Sequence, residues 1–481
     1  MQTHESEAQP LAAGVGAAAK PQGMWSLMKE AVAGSRRDFT TEDLGRAVIL
    51  LAVPMVLEMV MESIFAVVDI FWVSKLGPEA VASVGLTESL LNLLYALAIG
   101  LSMGAAAVVS RRIGEKDPEG AARAAFQAIL LGGGLSVVIG VGGAVAAPQL
   151  LQLMGASAET TRVGVNYTRV MLGGSATVVM LFLINAIFRG AGDAAVAMRT
   201  LWLANGINIV LGPFLVFGWG PFPKWGVAGA AVATTIGRGT GVLYQLYKLT
   251  RPTSRVALKR RHLIFEADVM KTIIRIARSG VFQVLVGSAS WIALVRVLAN
   301  FGSTAVAGYT IAIRVVLFAL LPSWGMANAA ATLVGQNLGA KQPDRAEQAV
   351  WRAAIYNLYF LGTVGVIFFI FAGNIAALFA PDPEVVAYAT RCLRIVSAGF
   401  LFYAVGMVVT QAFNGAGDTK TPTWINIICF WLWEIPLAYA LSHFTKLGPT
   451  GVFTAIMTAF SLVAVLSVVL FKRGTWKVIR V

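Results

Sequence analysis

Charge is scarce in this sequence. Only 13% of its 481 residues are Asp, Glu, Lys or Arg, against about 25% in a soluble globular chain. Hydrophobic residues make up 57%, so the chain would not stay in solution, and a soluble enzyme is excluded. Histidine is almost missing. His4, His262 and His443 all fall in tails or near loops, which places no imidazole for catalysis. Cysteine is as rare: Cys392 and Cys429 sit inside apolar runs without metal or disulfide spacing, and read as small buried hydrophobes. No GxxxxGK[ST] loop occurs, so ATP is not expected to drive anything here. Neither catalysis nor a resident cofactor is expected.

What the chain has in abundance is long apolar runs. A helix needs about 20 apolar residues to cross a bilayer. Such runs fall at 47–73, 83–110, 122–147, 163–187, 196–218 and 227–247, then at 273–299, 305–334, 350–372, 386–412, 421–442 and 450–471. The expected fold class is therefore all-α integral membrane, with twelve transmembrane helices. A lipid-exposed backbone must satisfy its own hydrogen bonds, and a barrel would show alternating segments of about ten residues instead. The first run begins near Ala47 and is too long for a signal-peptide core. Residues 8–19 are rich in Ala and Gly and are expected to be disordered. Thr40, Thr41, Glu42 and Asp43 read as a helix start.

The net charge is +14. In a membrane chain that excess reports orientation rather than nucleic-acid binding. With twelve spans, 28 of the 38 basic residues fall on the side shared by both termini and 5 on the other. Both termini are expected to be cytoplasmic, in the cell (inner) membrane, with membrane lipids as partners and no nucleic acid.

The chain also repeats itself. FRGAGD (Phe188 to Asp193) returns as FNGAGD (Phe413 to Asp418), and IGEKDPEGA (Ile113 to Ala121) as LGAKQPDRA (Leu338 to Ala346), both displaced by 225 residues. At the same displacement Gly77 meets Gly302, and Gly226 meets Gly451. Six spans per half is an even number, so the halves run parallel and form two six-helix lobes around a central cavity. The expected organisation is a tail at 1–45, an N-lobe at 46–247, a basic interlobe linker at 248–272 with a surface helix, a C-lobe at 273–472 and a tail at 473–481.

Charges at membrane depth cost roughly 2.5–3.5 kcal/mol each and need a reason. Glu58, Glu62 and Asp69 lie in one span and, at 100° per residue, within an arc of about 40°. Phe65 shares their stripe. Such a face is expected to line a wet interior and to bind protons or cations. The second half lacks the acids: the equivalents are Gln283, Gly287 and Leu294. Asn208 is the expected partner of Asp69. Glu88, Asn92, Asn185 and Asn205 are further polar residues of the first lobe. Arg296, Arg314 and Glu434 stand in second-lobe spans as candidates for an ion pair or, for Glu434, a cation contact. Phe65, Trp72 and Trp291 offer rings for stacking on a cation. Together with Glu88 and Glu434 they are the expected substrate-cavity residues. Pro54, Pro213, Pro322 and Pro436 favour kinks, and a bend at Pro54 is one turn from Glu58.

The chain resembles the multidrug and toxic compound extrusion (MATE) family over residues 40–472. The resemblance rests on VPMVLEMVMESIFAVVDIFWVSKLG (Val53 to Gly77), the GEKDPEGA and GAKQPDRA loops, the FRGAGD and FNGAGD turns, NIVL (Asn208 to Leu211), GVAGAAVAT (Gly226 to Thr234) and EIPLAYAL (Glu434 to Leu441). It implies a secondary antiporter that exports organic cations, often drugs, in exchange for protons or sodium ions by alternating access of its lobes; the chain is expected to be monomeric. The resemblance also implies an ion site at Asp69, Asn208 and Thr234; Glu58 or Glu62 is available to supply oxygens that this chain lacks there. Family members with such a site carry an Asp four residues after the Asn, where this chain has Gly212. A lipid-linked oligosaccharide flippase is a rival reading that would want a basic cavity. Another twelve-helix secondary transporter is a second rival, and would carry a different loop after span two.

Overall fold

The computed structural model describes residues 23–481, and the expected disorder at 8–19 lies outside them. A short helix, α1 (Met24–Ala33), precedes the first lobe. That lobe comprises α2 (Leu44–Ser74), α3 (Pro78–Gly114), α4 (Pro118–Leu153), α5 (Ala158–Gly173), α6 (Ser175–Gly190), α7 (Ala194–Phe217) and α8 (Val227–Leu249). The second comprises α9 (Ala267–Ala299), α10 (Ser303–Gly339), α11 (Pro343–Ala377), α12 (Pro383–Ala398), α13 (Phe400–Ala416), α14 (Lys420–Asn426), a π-helical stretch (Ile427–Glu434), α15 (Ile435–His443) and α16 (Pro449–Lys472). Asp43 starts α2 by accepting from the Arg46 amide at 3.0 Å.

Among the described residues nine helices are long and apolar enough to cross a membrane, and two bent pairs add one crossing each. The pairs are α5–α6, bent by 41°, and α12–α13, bent by 57°. They break at Gly174 and Gly399, which are 225 residues apart. The twelfth crossing, α8, has 23 residues but carries Thr234, Thr235, Arg238, Thr240 and Gln245.

The duplication explains its own motifs. In the FRGAGD and FNGAGD turns, Gly190 and Gly415 press against the backbone of Ala106 and Ala331, where a side chain has no room. Gly192 and Gly417 then take left-handed φ of 85° and 87° and end their helices. The displacement of 225 does not run to the end. The left-handed glycines that open the last helix of each half are Gly226 and Gly448, and Gly229 and Gly451 then take the close approaches to the preceding helix. The displacement there is 222, because the loop before the last helix is three residues shorter in the second half. Gly226 therefore matches Gly448, not Gly451. The expected surface helix in the linker is also absent from the described residues; only a 3-10 turn, Arg260–His262, forms. This segment is tied down by Glu119, which takes Arg261 and His262, and by Gln127, which donates to the Ile264 carbonyl at 2.6 Å.

The lobes meet at the face that carries both ends of the described residues. The ends of α3 and α10 cross there on glycine: a methyl on Gly114 would overlap the Gln336 carbonyl, and one on Gly339 the Arg111 carbonyl. Arg111 donates to the Ala416 carbonyl at 3.3 Å and Gln336 to the Gly190 carbonyl at 2.9 Å. Positions 111 and 336 are equivalents, so the seal is itself duplicated. Both terminal segments cover it. Arg345 of the second lobe donates to the Glu42 carbonyl, while Asp38 pairs with Lys116 of the first. Burial pushes the Asp38 carboxyl up, but hydrogen bonds from Lys116 and Thr40 outweigh it and hold the group at about 2. That tie is therefore present at physiological pH and is lost only as pH falls through about 2. At the other terminus Arg111 holds the Ile479 carbonyl at 3.2 Å, and Trp476 is fully buried against Phe471. Toward the opposite face the lobes diverge, and Glu88, Asn92 and Arg314 are all exposed.

Gly339→Ala should force the sealed faces apart. A cysteine placed at Asn328, in the cavity behind the seal, should then react roughly tenfold faster with an impermeant maleimide added at the terminal face. Equal labelling rates would show that the seal does not depend on this close approach.

Candidate functional site

A cavity of about 320 Å³ lies between the lobes behind the seal, lined by α2, α3, α6, α7, α10 and α13. Glu58 and Glu62 of the acidic stripe open onto it, with Tyr95, Asn185, Arg189, Trp324, Asn328 and Gln411. The stripe lies on α2 as the periodicity predicts. Its three acids have different surroundings.

Glu58 is 2% exposed. It accepts from Asn185 at 3.0 Å and pairs with Arg189 at 2.8 Å. Gln245 in turn donates to the Asn185 side-chain oxygen at 2.6 Å. The carboxylate is thus held by a cation of the protein's own. Removing one partner of a buried pair costs about 3–5 kcal/mol, because the other charge is stranded. One turn along, Glu62 accepts a single hydrogen bond, from Asn205 at 3.0 Å, and no ion pair reaches it among the described residues. Asp69, two turns further toward the open face, accepts no hydrogen bond among the described residues. Its charged neighbours are Arg238 and Glu88.

Asn208 does not pair with Asp69. Its amide donates to the Thr234 hydroxyl at 2.6 Å, and Thr234 donates to the Ala230 carbonyl at 2.9 Å. The cause is that α7 and α8 lie side by side, and Thr234 offers a hydroxyl oxygen directly opposite the amide. Asn208 and Thr234 are thus joined by a hydrogen bond, and none runs from either to Asp69 among the described residues. Beside them Gly212 faces open space, with only the Asn208 oxygen and Trp72 at 3.9 Å from where a side chain would start. The Trp72 indole N–H there is buried without a partner among the described residues. Among the described residues no group of three or more His, Cys, Asp or Glu is placed to hold a metal ion.

The five residues expected in a substrate cavity do not line this one. Phe65 is buried beneath Arg238, whose guanidinium lies 5.9 Å from its ring. Trp72 joins an edge-to-face aromatic group with Phe71, Phe217 and Trp219 near the open face. Glu88 is exposed in the interlobe cleft with Arg314 as its charged neighbour across it. Trp291 packs half-buried on the second-lobe core. Glu434 is 1% exposed; the π-helical stretch turns it into the second lobe near Tyr309, Tyr403 and Cys429. It forms no ion pair with Arg296 or Arg314, and both arginines are exposed.

Sequence reasoning missed two arginines. Arg189 was read only as a loop cation at the FRGAGD turn. Arg238 was one of five basic residues inside spans, with Arg169, Arg296, Arg314 and Arg394. It alone of the five is buried, at 5% exposure. It donates to the Tyr95 hydroxyl at 3.2 Å and interacts by charge with both Glu62 and Asp69. The available signal was spacing: Arg238 follows Thr234 by one helical turn, so both face the same neighbour.

Comparisons with known proteins agree with this architecture. The MatE family model matches residues 54–214 and again 281–440, one copy in each lobe. A probable multidrug resistance protein, YoeA of Bacillus subtilis, is 29% identical over 90% of this chain and 94% of its own. An FAD transporter of Shewanella oneidensis is 25% identical over 84% and 89%. Among solved structures, a MOP superfamily transporter from Pyrococcus furiosus, described as having a binding pocket of reverse polarity, superposes with a TM-score of 0.85 at 28% identity, covering 91% of this chain and 97% of that one. A crystal structure of MATE in complex with MaL6 gives 0.86 at 28% identity and the same coverage. The twelve helices in two parallel lobes and the match of each lobe to the same model place this chain in the MatE family of multidrug efflux transporters, which are not enzymes.

Proposed function

We propose that this protein is a secondary antiporter, working as a single chain, that exports organic cations across the cell membrane in exchange for protons. Sodium is the alternative coupling ion that the experiment below separates. The excess of basic residues on the sealed face supports a cytoplasmic location for both termini. The state described above is then open to the outside. Relatives at comparable distance bear names for drugs and for FAD, so the cargo reading rests on the site.

The observation that carries it is the contrast within the stripe. Glu58 is occupied by Arg189, whereas Glu62 and Asp69 have no bonded cation. A carboxylate in a low-dielectric interior favours binding whatever positive charge it can reach. In the outward-open state Asp69 and Glu62 take up a proton, which weakens their hold on cationic cargo and lets it leave. The lobes then rock, the seal opens and the proton departs inward. The freed carboxylates bind new cargo. Exchange follows because proton and cargo compete for the same oxygens, and each half of the cycle needs one of them. Coupling to protons is favoured by Gly212. With no carboxylate at that position, the oxygens near Asn208 and Thr234 are few for a metal ion.

In proteoliposomes given a proton gradient or a sodium gradient separately, the native protein should export a cationic dye on the proton gradient. Asp69→Asn should abolish gradient-driven export while leaving the protein folded. Normal export by that variant removes Asp69 from the mechanism, and export driven only by sodium replaces the coupling ion.

The two glutamates should behave differently. Glu58→Gln strands Arg189 and should destabilise the detergent-solubilised protein by about 3–5 kcal/mol, read as a clear fall in thermal unfolding temperature. Glu62→Gln should leave unfolding nearly unchanged and impair transport. Equal unfolding temperatures for the two variants would contradict the assignment.

A further inference from the structure

We propose that Arg238 is a resident counter-ion that leaves the acidic stripe of α2 with one exchangeable positive charge, so that the cargo is a monovalent organic cation and its exchange is electroneutral. The inference rests on the antiport reading above and adds its charge stoichiometry.

Glu58, Glu62 and Arg189 line the interlobe cavity; Asp69 has Arg238 and Glu88 as charged neighbours, and Glu88 has Arg314. Glu58 and Arg189 cancel in a direct pair at 2.8 Å. Glu88 and Arg314 are charged neighbours of opposite sign, both exposed at the cleft. Glu88 stands 26 residues before Gly114 and Arg314 25 before Gly339, so the two lie at matching depth, roughly 38 Å along their helices from the seal. That leaves Glu62, Asp69 and Arg238: two negative charges and one positive.

Arg238 is built in. It is 5% exposed, its Nη2 donates to the Tyr95 hydroxyl at 3.2 Å, and its guanidinium lies 5.9 Å from the rings of both Phe65 and Tyr95. Its Nη1 is buried with no hydrogen-bond partner among the described residues. A guanidinium does not lose its proton in a protein. Its charge is therefore permanent, and its carboxylate neighbours are Glu62 and Asp69. An uncompensated charge is expensive in a low-dielectric interior, so the stripe takes one positive equivalent at a time. A monocation satisfies it in one direction and a single proton or sodium ion in the other. A dication overfills it by one charge.

The test uses proteoliposomes with ethidium, a permanent monocation, and methyl viologen, a permanent dication. A potassium diffusion potential is imposed with valinomycin. For the native protein, ethidium exchange should not respond to the potential, and methyl viologen should not be carried. Arg238→Gln leaves two unmatched carboxylates; its ethidium flux should become voltage-dependent and methyl viologen should be accepted. Arg238→Lys keeps the charge without the planar fork and should behave as native, which separates charge from packing. If Arg238→Gln does not fold, the native and Arg238→Lys measurements decide alone. Voltage-dependent ethidium exchange in the native protein overturns this inference while leaving antiport intact. So does methyl viologen transport by the native protein, or identical behaviour of Arg238→Gln. Absence of any gradient-driven ethidium flux in the native protein overturns antiport and this inference with it.

Discussion

A carboxylate held at membrane depth must meet a positive charge, and the first lobe is arranged around meeting that requirement in three ways. Glu58 meets it with Arg189, permanently and in direct contact. Glu62 and Asp69 share Arg238 at longer range, without a bond. The remainder is left for an ion or a cargo molecule to supply. Solvation forces this gradation. The same residue type is a brace where its partner is covalently part of the lobe and a carrier where the partner must arrive from outside.

The second constraint is geometric. Alternating access requires the lobes to close at one face and part at the other, and close approach of backbones needs small residues. Gly114 and Gly339 supply it at the sealed face, supported by the equivalent donors Arg111 and Gln336. These contacts fall at equivalent positions of the two halves, so a single gene duplication produced both sides of the seal. The acids have no such equivalents. The fold is symmetric where it moves and asymmetric where it binds.

Much of this was legible in the sequence. Twelve apolar runs located the helices, with ends off by up to about seven residues, because the bilayer imposes a minimum apolar length. The FRGAGD and FNGAGD repeat revealed the duplication, since its glycines are required by contact and turn geometry rather than by chance. Local spacing also found the stripe of Glu58, Glu62 and Asp69. What it missed were partners from other helices. Arg189 and Arg238 lie 131 and 169 residues from Glu58 and Asp69, and periodicity within one helix is blind to them. The same limit explains Asn208, whose partner proved to be Thr234 on the neighbouring helix. The π-helical stretch that turns Glu434 inward leaves no signature in an apolar run. The three-residue shortening before α16 was hidden because Gly226 and Gly451 match by residue type while holding different places in the turn.

The central claim is that cargo and coupling ion exchange one positive charge at Asp69 and Glu62. Calorimetric titration of the purified protein with a monovalent organic cation, in sodium-free buffers of different ionisation enthalpy, counts the protons released on binding. The account predicts about one proton per cargo bound at a pH where the empty site is protonated, lost in Asp69→Asn. No proton release at any pH between about 5 and 8, with cargo still bound, would contradict it.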